Sequence, residues 1–181
     1  TSPIGTKSNT TPRGSYLEAL NPLSVTLGVQ NVSFVAQAVD WIPELLFDIV
    51  KAAYHHKGLS FVRIVQRCTE WLPKAFDPWM HDPNKVQLLH HENGLQLSAG
   101  LSRVYKNQLQ HDPSDINRAR EIASGPDSMP VGILYRNPDV PCYEDLRASD
   151  KLRTPDLTRA WLNAELDKYT VWPQGAEQKV A

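Results

Sequence analysis

The chain has 181 residues, 41% of them hydrophobic and 22% charged, with a formal net charge of -1 at pH 7. That length and balance fit a globular chain of one domain, or one domain with an extension, and with near-neutral charge no basic stripe suggests nucleic acid and no acidic run suggests a disordered tail. No apolar run approaches the roughly 18 residues of a membrane span. The opening Thr1-Ser-Pro-Ile-Gly5 has neither the basic start nor the apolar stretch of a signal peptide. It opens on turn residues without an initiator methionine, as a fragment of a longer chain would. With only Cys68 and Cys142, a secreted disulfide scaffold is a poor fit, and reduced thiols in a cytoplasmic protein are expected.

In chain order, residues 1–21 are rich in Thr, Ser, Pro, Gly and Asn and read as ordered loop. Asn21-Pro22 can open a helix, with Asn as cap and Pro in the first turn. Leu23 to Val29 alternates enough to be strand instead, and periodicity leaves that choice open. Val32–Val39 is apolar and β-branched, a buried strand. Asp40 or a neighbour then caps a helix with Pro43 in its first turn. Leu45, Leu46, Ile49, Val50 and Ala53 recur at helical spacing. Lys51, His55, His56 and Lys57 place positive charge near the unpaired carbonyls at its end, and Gly58 follows to take the left-handed turn. Leu59–Gln66 reads as a second buried strand. Strand, helix and strand over 32–66 make an α/β crossover unit with parallel strands.

Beyond Cys68 the pattern changes. Val86–Leu97 carries Asn93-Gly94 between apolar stretches, a hairpin signal. Asp115–Ala123 reads as a short helix and Pro130–Tyr135 as a strand. Thr154-Pro155 opens a last helix running to about Tyr169, with Leu157, Trp161, Leu162 and Leu166 on one face. Trp71 and Trp79, flanking Pro73 and Pro78, are expected to pack a long loop against the domain. No repeat or low-complexity tract occurs.

The six histidines do not form a ready metal site. His55–His56 and His90–His91 are adjacent pairs, which diverge on a helix and face opposite sides of a strand, and no His-Glu-x-x-His is present. His81 and His111 precede Asp-Pro, a turn context. Gly-x-Ser-x-Gly, Walker and dinucleotide-binding glycine patterns are missing. Cys68 is the most informative residue. It follows a strand directly, and sites gather at the carboxyl ends of parallel strands. A thiol there can be a nucleophile, a metal ligand or a buried structural residue.

Several stretches taken in order resemble the beta subunits of 2-oxoacid:ferredoxin oxidoreductases. They are Thr1-Ser-Pro-Ile-Gly-Thr-Lys-Ser-Asn9, Asn21-Pro-Leu-Ser-Val25, Ser33-Phe-Val-Ala-Gln37, His56-Lys-Gly-Leu-Ser-Phe-Val-Arg-Ile-Val-Gln-Arg-Cys68 and Gly132-Ile-Leu-Tyr-Arg-Asn-Pro138. The resemblance implies an α/β fold. Residues 1–68 would be the C-terminal half of a thiamine-diphosphate-binding parallel-sheet domain. Residues 69–181 would be a mixed α/β extension contacting that domain and partner subunits. It further implies thiamine diphosphate and magnesium, a 4Fe-4S cluster, an alpha subunit, ferredoxin, coenzyme A and a 2-oxoacid, leaning toward 2-oxoglutarate.

By the same resemblance Cys68 matches a cluster ligand, whose three co-ligands would lie upstream, and Thr1 and Ser2 border the cofactor. The family often has Pro after this cysteine; Thr69 stands there here. The Gly-Asp-Gly motif that holds metal and diphosphate in the family does not occur. No catalytic residue is therefore assigned, and the chain alone is expected to be inactive. Half a parallel sheet would also expose apolar edges and associate. The alternative is a non-catalytic assembly or interaction domain that keeps the fold.

Overall fold

The computed structural model describes residues 4–70, 74–125, 129–147 and 155–171. The chain divides into two compact units, residues 1–142 and 143–181. In the first, Asn21 caps α1 (Pro22–Thr26), its side-chain oxygen accepting from the Leu23 and Ser24 amides. This settles the open choice as helix: Asn21 satisfies two otherwise orphaned amides and Pro22 needs no donor. Leu23 and Leu27, four apart, are both buried.

Strand β1 (Phe34–Val39) is buried along its whole length, α2 spans Pro43–His55, and β2 (Ser60–Val65) pairs with β1 in parallel. The expected crossover unit is therefore present. Leu45 and Ile49 bury one face of α2 against the Phe34, Ala36 and Ala38 face of β1. Each such burial is worth roughly 2 kcal/mol. The start of α2 has no side-chain cap; Ile42 holds that position and Asp40 turns to Arg67 instead. After α2, Gly58 takes φ 116°, and a Cβ there would come within 2.8 Å of Ser33 Oγ. Only glycine fits that turn.

The rest of the unit adds α3 (Asp77–Met80), a 3-10 turn (Pro83–Lys85), β3 (Val86–His90), α4 (Ala99–Val104), β4 (Gln108–Gln110), α5 (Ile116–Ser124) and β5 (Met129–Arg136). Among the described residues one five-stranded sheet runs β2-β1-β5-β3-β4. Its neighbours are parallel except β1 and β5, which meet antiparallel. The sheet is thus mixed, and it runs through both sides of residue 68.

The hairpin expected over 86–97 does not form. The chain does turn at Asn93-Gly94, with the His91 amide donating to the Leu95 carbonyl at 3.0 Å. However, both edges of β3 are taken by parallel partners, β5 and β4. A returning strand has no free ladder to join.

A register shift between Val35 and Ala36 opposite β5 leaves Leu134 as an extra residue, a β-bulge that changes which side chains face which side. Val131 and Ile133 face the α2 side, and Leu134 and Tyr135 join the opposite side, where Leu23, Leu27, Val35, Leu89, Ala119 and Ile122 pack. Asp115 caps α5 through the Asn117 and Arg118 amides. The second unit contains α6 (Tyr143–Arg147) and α7 (Pro155–Asp167), the latter at the expected place. Its expected cap, Thr154, lies outside the described residues. Trp161, Leu162 and Leu166 on α7 are about half exposed.

Candidate functional site

The carboxyl ends of β1 and β2 lie side by side because the two strands are parallel neighbours, and the Asp40 amide donates to the Val65 carbonyl at 3.1 Å. Cys68 follows β2 by three residues and is half-buried. Beside this edge Arg67 donates through its backbone amide and Nε to Asp40 Oδ2, both at 3.4 Å. With side-chain exposures of 48% for Arg67 and 24% for Asp40, the pair adds less than about 1 kcal/mol. Its use is positional: it draws the residue before Cys68 back onto the end of β1.

Next to this pair Trp41 packs on Phe76, with ring centroids 6.3 Å apart, and Phe76 on Trp79 at 6.1 Å. Trp79 thus holds the loop after Cys68 against the α2-side core, as expected; Trp71 lies outside the described residues. Asp40 Oδ1 and Trp41 Nε1 are buried without a hydrogen-bond partner. Buried polar atoms are normally satisfied, so the edge beside Cys68 keeps an acceptor and a donor open.

The described residues contain no group of three His, Cys, Asp or Glu side chains able to hold a metal ion. Cys68 and Cys142 are both half-buried and not joined to each other. Thr1 and Ser2 lie outside the described residues. Among the described residues this edge therefore holds a single thiol, that of Cys68.

Two histidines sit where the sequence does not place them. The sequence pattern makes His56 a cation at the end of α2. It is instead 8% exposed, packed on Phe34 with ring centroids 5.3 Å apart. Burial, and then the nearby Arg136 charge, lowers its pKa, so the ring is neutral near pH 7. His111, expected in a turn, is 3% exposed, and its Nε2 donates to the Leu134 carbonyl at 2.6 Å. Both side chains plug the sheet; neither is a surface ligand.

A cleft of about 730 Å³ opens at the opposite end of the strands, between Glu92, Asp112, Ser114, Arg136 and Asp139. The Ser114 backbone amide, then its side chain, hold the Asp112 carboxyl below the usual carboxylate range. A smaller cleft of about 160 Å³ includes Gln37, Arg63 and Trp79.

The family that describes the C-terminal region of the pyruvate ferredoxin oxidoreductase beta subunit matches residues 101–150. The 2-oxoglutarate oxidoreductase subunit KorB of Mycobacterium tuberculosis is 29% identical over 105 residues, covering 58% of this chain and 28% of its own. The 2-oxoacid:ferredoxin oxidoreductase subunit beta of a Sulfolobus species is 26% identical over 153 residues, covering 78% of this chain and 43% of its own. The chain is thus similar in sequence to beta subunits of 2-oxoacid:ferredoxin oxidoreductases. A solved 2-oxoglutarate:ferredoxin oxidoreductase from Magnetococcus marinus, with 2-oxoglutarate, coenzyme A and succinyl-CoA bound, shares the fold: its TM-score is 0.57 at 23% identity, over 98% of this chain and 48% of its own.

The chain spans less than half the length of each of these relatives. The matched segment 101–150 covers β4, α5, β5 and α6, which includes the antiparallel joint to β1. Strands β4 and β5 of that segment thus belong to one sheet with the strand–helix–strand unit that ends near Cys68. Sequence reasoning missed Gln37 and Arg63 as a pair. A signal existed in the lone polar residue within the apolar run Phe34-Val-Ala-Gln-Ala-Val39.

Proposed function

We propose that this chain is part of the beta subunit of a 2-oxoacid:ferredoxin oxidoreductase. The complete enzyme would oxidatively decarboxylate a 2-oxoacid, with 2-oxoglutarate favoured, and pass the acyl group to coenzyme A and electrons to ferredoxin. The observation that carries this is the ordered similarity to beta subunits across the sheet, together with a thiol just past the carboxyl end of β2. Thiamine diphosphate, when bound, supplies the electron sink for such a decarboxylation. The Gly-Asp-Gly motif that holds its metal and diphosphate in the resembled family does not occur in this sequence, so those groups are proposed to come from the remainder of the assembly. Thr1 and Ser2 are proposed to border it.

This chain's own contributions are narrower. Cys68 supplies one thiolate of a 4Fe-4S cluster, with Arg67 and Asp40 fixing its approach. The sheet provides one wall that excludes water from the reacting groups. The alpha subunit is the expected partner and the cytoplasm the expected location.

The test uses the full-length natural product with its copurifying subunits. Reduction of ferredoxin should require both 2-oxoacid and coenzyme A. Cys68→Ala should remove iron and sulfide from the complex and abolish ferredoxin reduction. A correctly folded complex with no oxoacid-dependent reduction and no thiamine diphosphate binding would instead mark a non-catalytic assembly domain. Iron and sulfide content unchanged in Cys68→Ala would remove the cluster assignment.

A further inference from the structure

On the α1 and α5 side of the sheet, Gln37 of β1 and Arg63 of β2 are register partners. They line the 160 Å³ cleft together with Asn21, Trp79, Gly125 and Pro130. Gln37 is 2% exposed. Its Nε2 donates to the Pro130 carbonyl at 2.6 Å, and its Oε1 has no partner. That first bond fixes the amide's orientation, since the reversed amide would set two oxygens against each other. Oε1 is therefore left as an open acceptor.

Arg63 makes no hydrogen bond or ion pair among the described residues. Burial pulls its guanidinium below the usual arginine pKa with no compensating carboxylate. A half-buried guanidinium without an acceptor is unusual, because desolvating a charge is unfavourable unless it is paired.

Three other polar groups of the lining are already used. The Ala123 carbonyl accepts from Asn21 Nδ2 at 2.7 Å, the Pro130 carbonyl accepts from Gln37, and the Gly125 amide donates to the Ile122 carbonyl. The open valences on the adjacent strands β1 and β2 are thus a cationic multiple donor and a neutral acceptor. We propose that this cleft binds a small carboxylate that also carries a hydroxyl or amine donor, the carboxylate on Arg63 and the donor on Gln37 Oε1. A guanidinium fork matches a carboxylate bidentately. A cleft of about 160 Å³ suits a small acid of glycolate or lactate size. The site does not rest on the oxidoreductase assignment, and Cys68 takes no part in it.

Glycolate is the probe, titrated by calorimetry into the full-length natural product with its copurifying subunits. Saturable binding at one site per chain is expected. Acetate, which lacks the donor, should bind several-fold more weakly. Arg63→Gln should weaken glycolate roughly ten- to a hundredfold, the effect of losing one charge-assisted contact, and Arg63→Lys should retain part of the affinity. Should Arg63→Gln misfold, a wild-type crystal soaked in glycolate reads the same question directly. The proposal is overturned by no saturable binding, by equal binding in Arg63→Gln, or by a soaked crystal showing only water at Arg63. A carboxylate side chain of a neighbouring polypeptide on Arg63 would overturn it as well.

Discussion

His56 shows how one side chain couples burial, charge and stability. Its ring lies against Phe34 at the end of α2, its Nε2 has no partner, and Arg136 adds a positive charge nearby. Each factor disfavours the imidazolium, so the folded pKa lies below the unfolded value of about 6.5. Between these two values the unfolded chain binds the extra proton, and stability falls as pH falls. Above the unfolded value the two states bind the same number of protons and this effect vanishes. The urea midpoint should therefore be flat in this respect above neutrality and decline as pH is lowered from 6.5 toward the folded pKa. His56→Gln should remove that part of the slope, even though the variant is less stable overall. A slope unchanged in the variant would assign the acid sensitivity to other groups. Sequence alone could not show this. A histidine beside lysine at a helix end has two readings, a solvated cation or a plug, and only the position of Phe34 on the neighbouring strand decides between them.

At the scale of elements, α1 is the least self-sufficient. It has five residues, far below the length at which an isolated helix is stable in water. Asn21 holds it twice: its side-chain oxygen caps the helix, and its Nδ2 donates to the Ala123 carbonyl at the end of α5, 102 residues away. Asn21→Ala should lose both, a destabilisation of about 2 kcal/mol from a cap of ~1 and a hydrogen bond of ~1. Asn21→Asp keeps the cap's acceptor but brings oxygen against the Ala123 carbonyl, so a comparable loss in that variant would locate the larger share in the tertiary bond. Denaturant titration of the two variants checks this.

The elements also show which signals were legible. Pro43 and Asp115 announce helix starts through local chemistry, and both helices form; Asn21-Pro22 offers one too, against a strand reading that the pattern leaves open. β4 is three residues, Gln-Leu-Gln, with no pattern of its own; its pairing with β3 creates it. The Asn93-Gly94 turn forms while its hairpin does not, because strand pairing is decided by which edges remain free. At the candidate site, the placement of Cys68 after a strand was readable from spacing, whereas the open atoms of Asp40, Trp41 and Gln37 depend on neighbours distant in sequence.

For the molecule as a whole, the first unit leaves one flank of its sheet uncovered among the described residues. β2 is an edge strand whose residues are half-exposed except Ile64, at 49%, and the buried Val65. Beside it, α2 presents Phe47, Val50 and Tyr54 to solvent, at 66%, 45% and 83% exposure. These three recur at i, i+3 and i+7, which places them on one helix face. An apolar stripe next to an open strand edge offers both hydrophobic area and unpaired backbone groups to another chain. The 181-residue chain expressed alone should therefore self-associate, and light scattering after size exclusion should show a mass above that of a monomer, rising with concentration. Phe47→Lys with Tyr54→Glu should shift the distribution toward monomer, because the charges sit on the exposed face and disturb neither Leu45 nor Ile49 beneath it. If the wild-type chain stays a monodisperse monomer across the concentration range, the flank is not sticky. If it associates but the double variant does so equally, the contact lies elsewhere, with the exposed Tyr16, Leu17 and Leu20 the next surface to change.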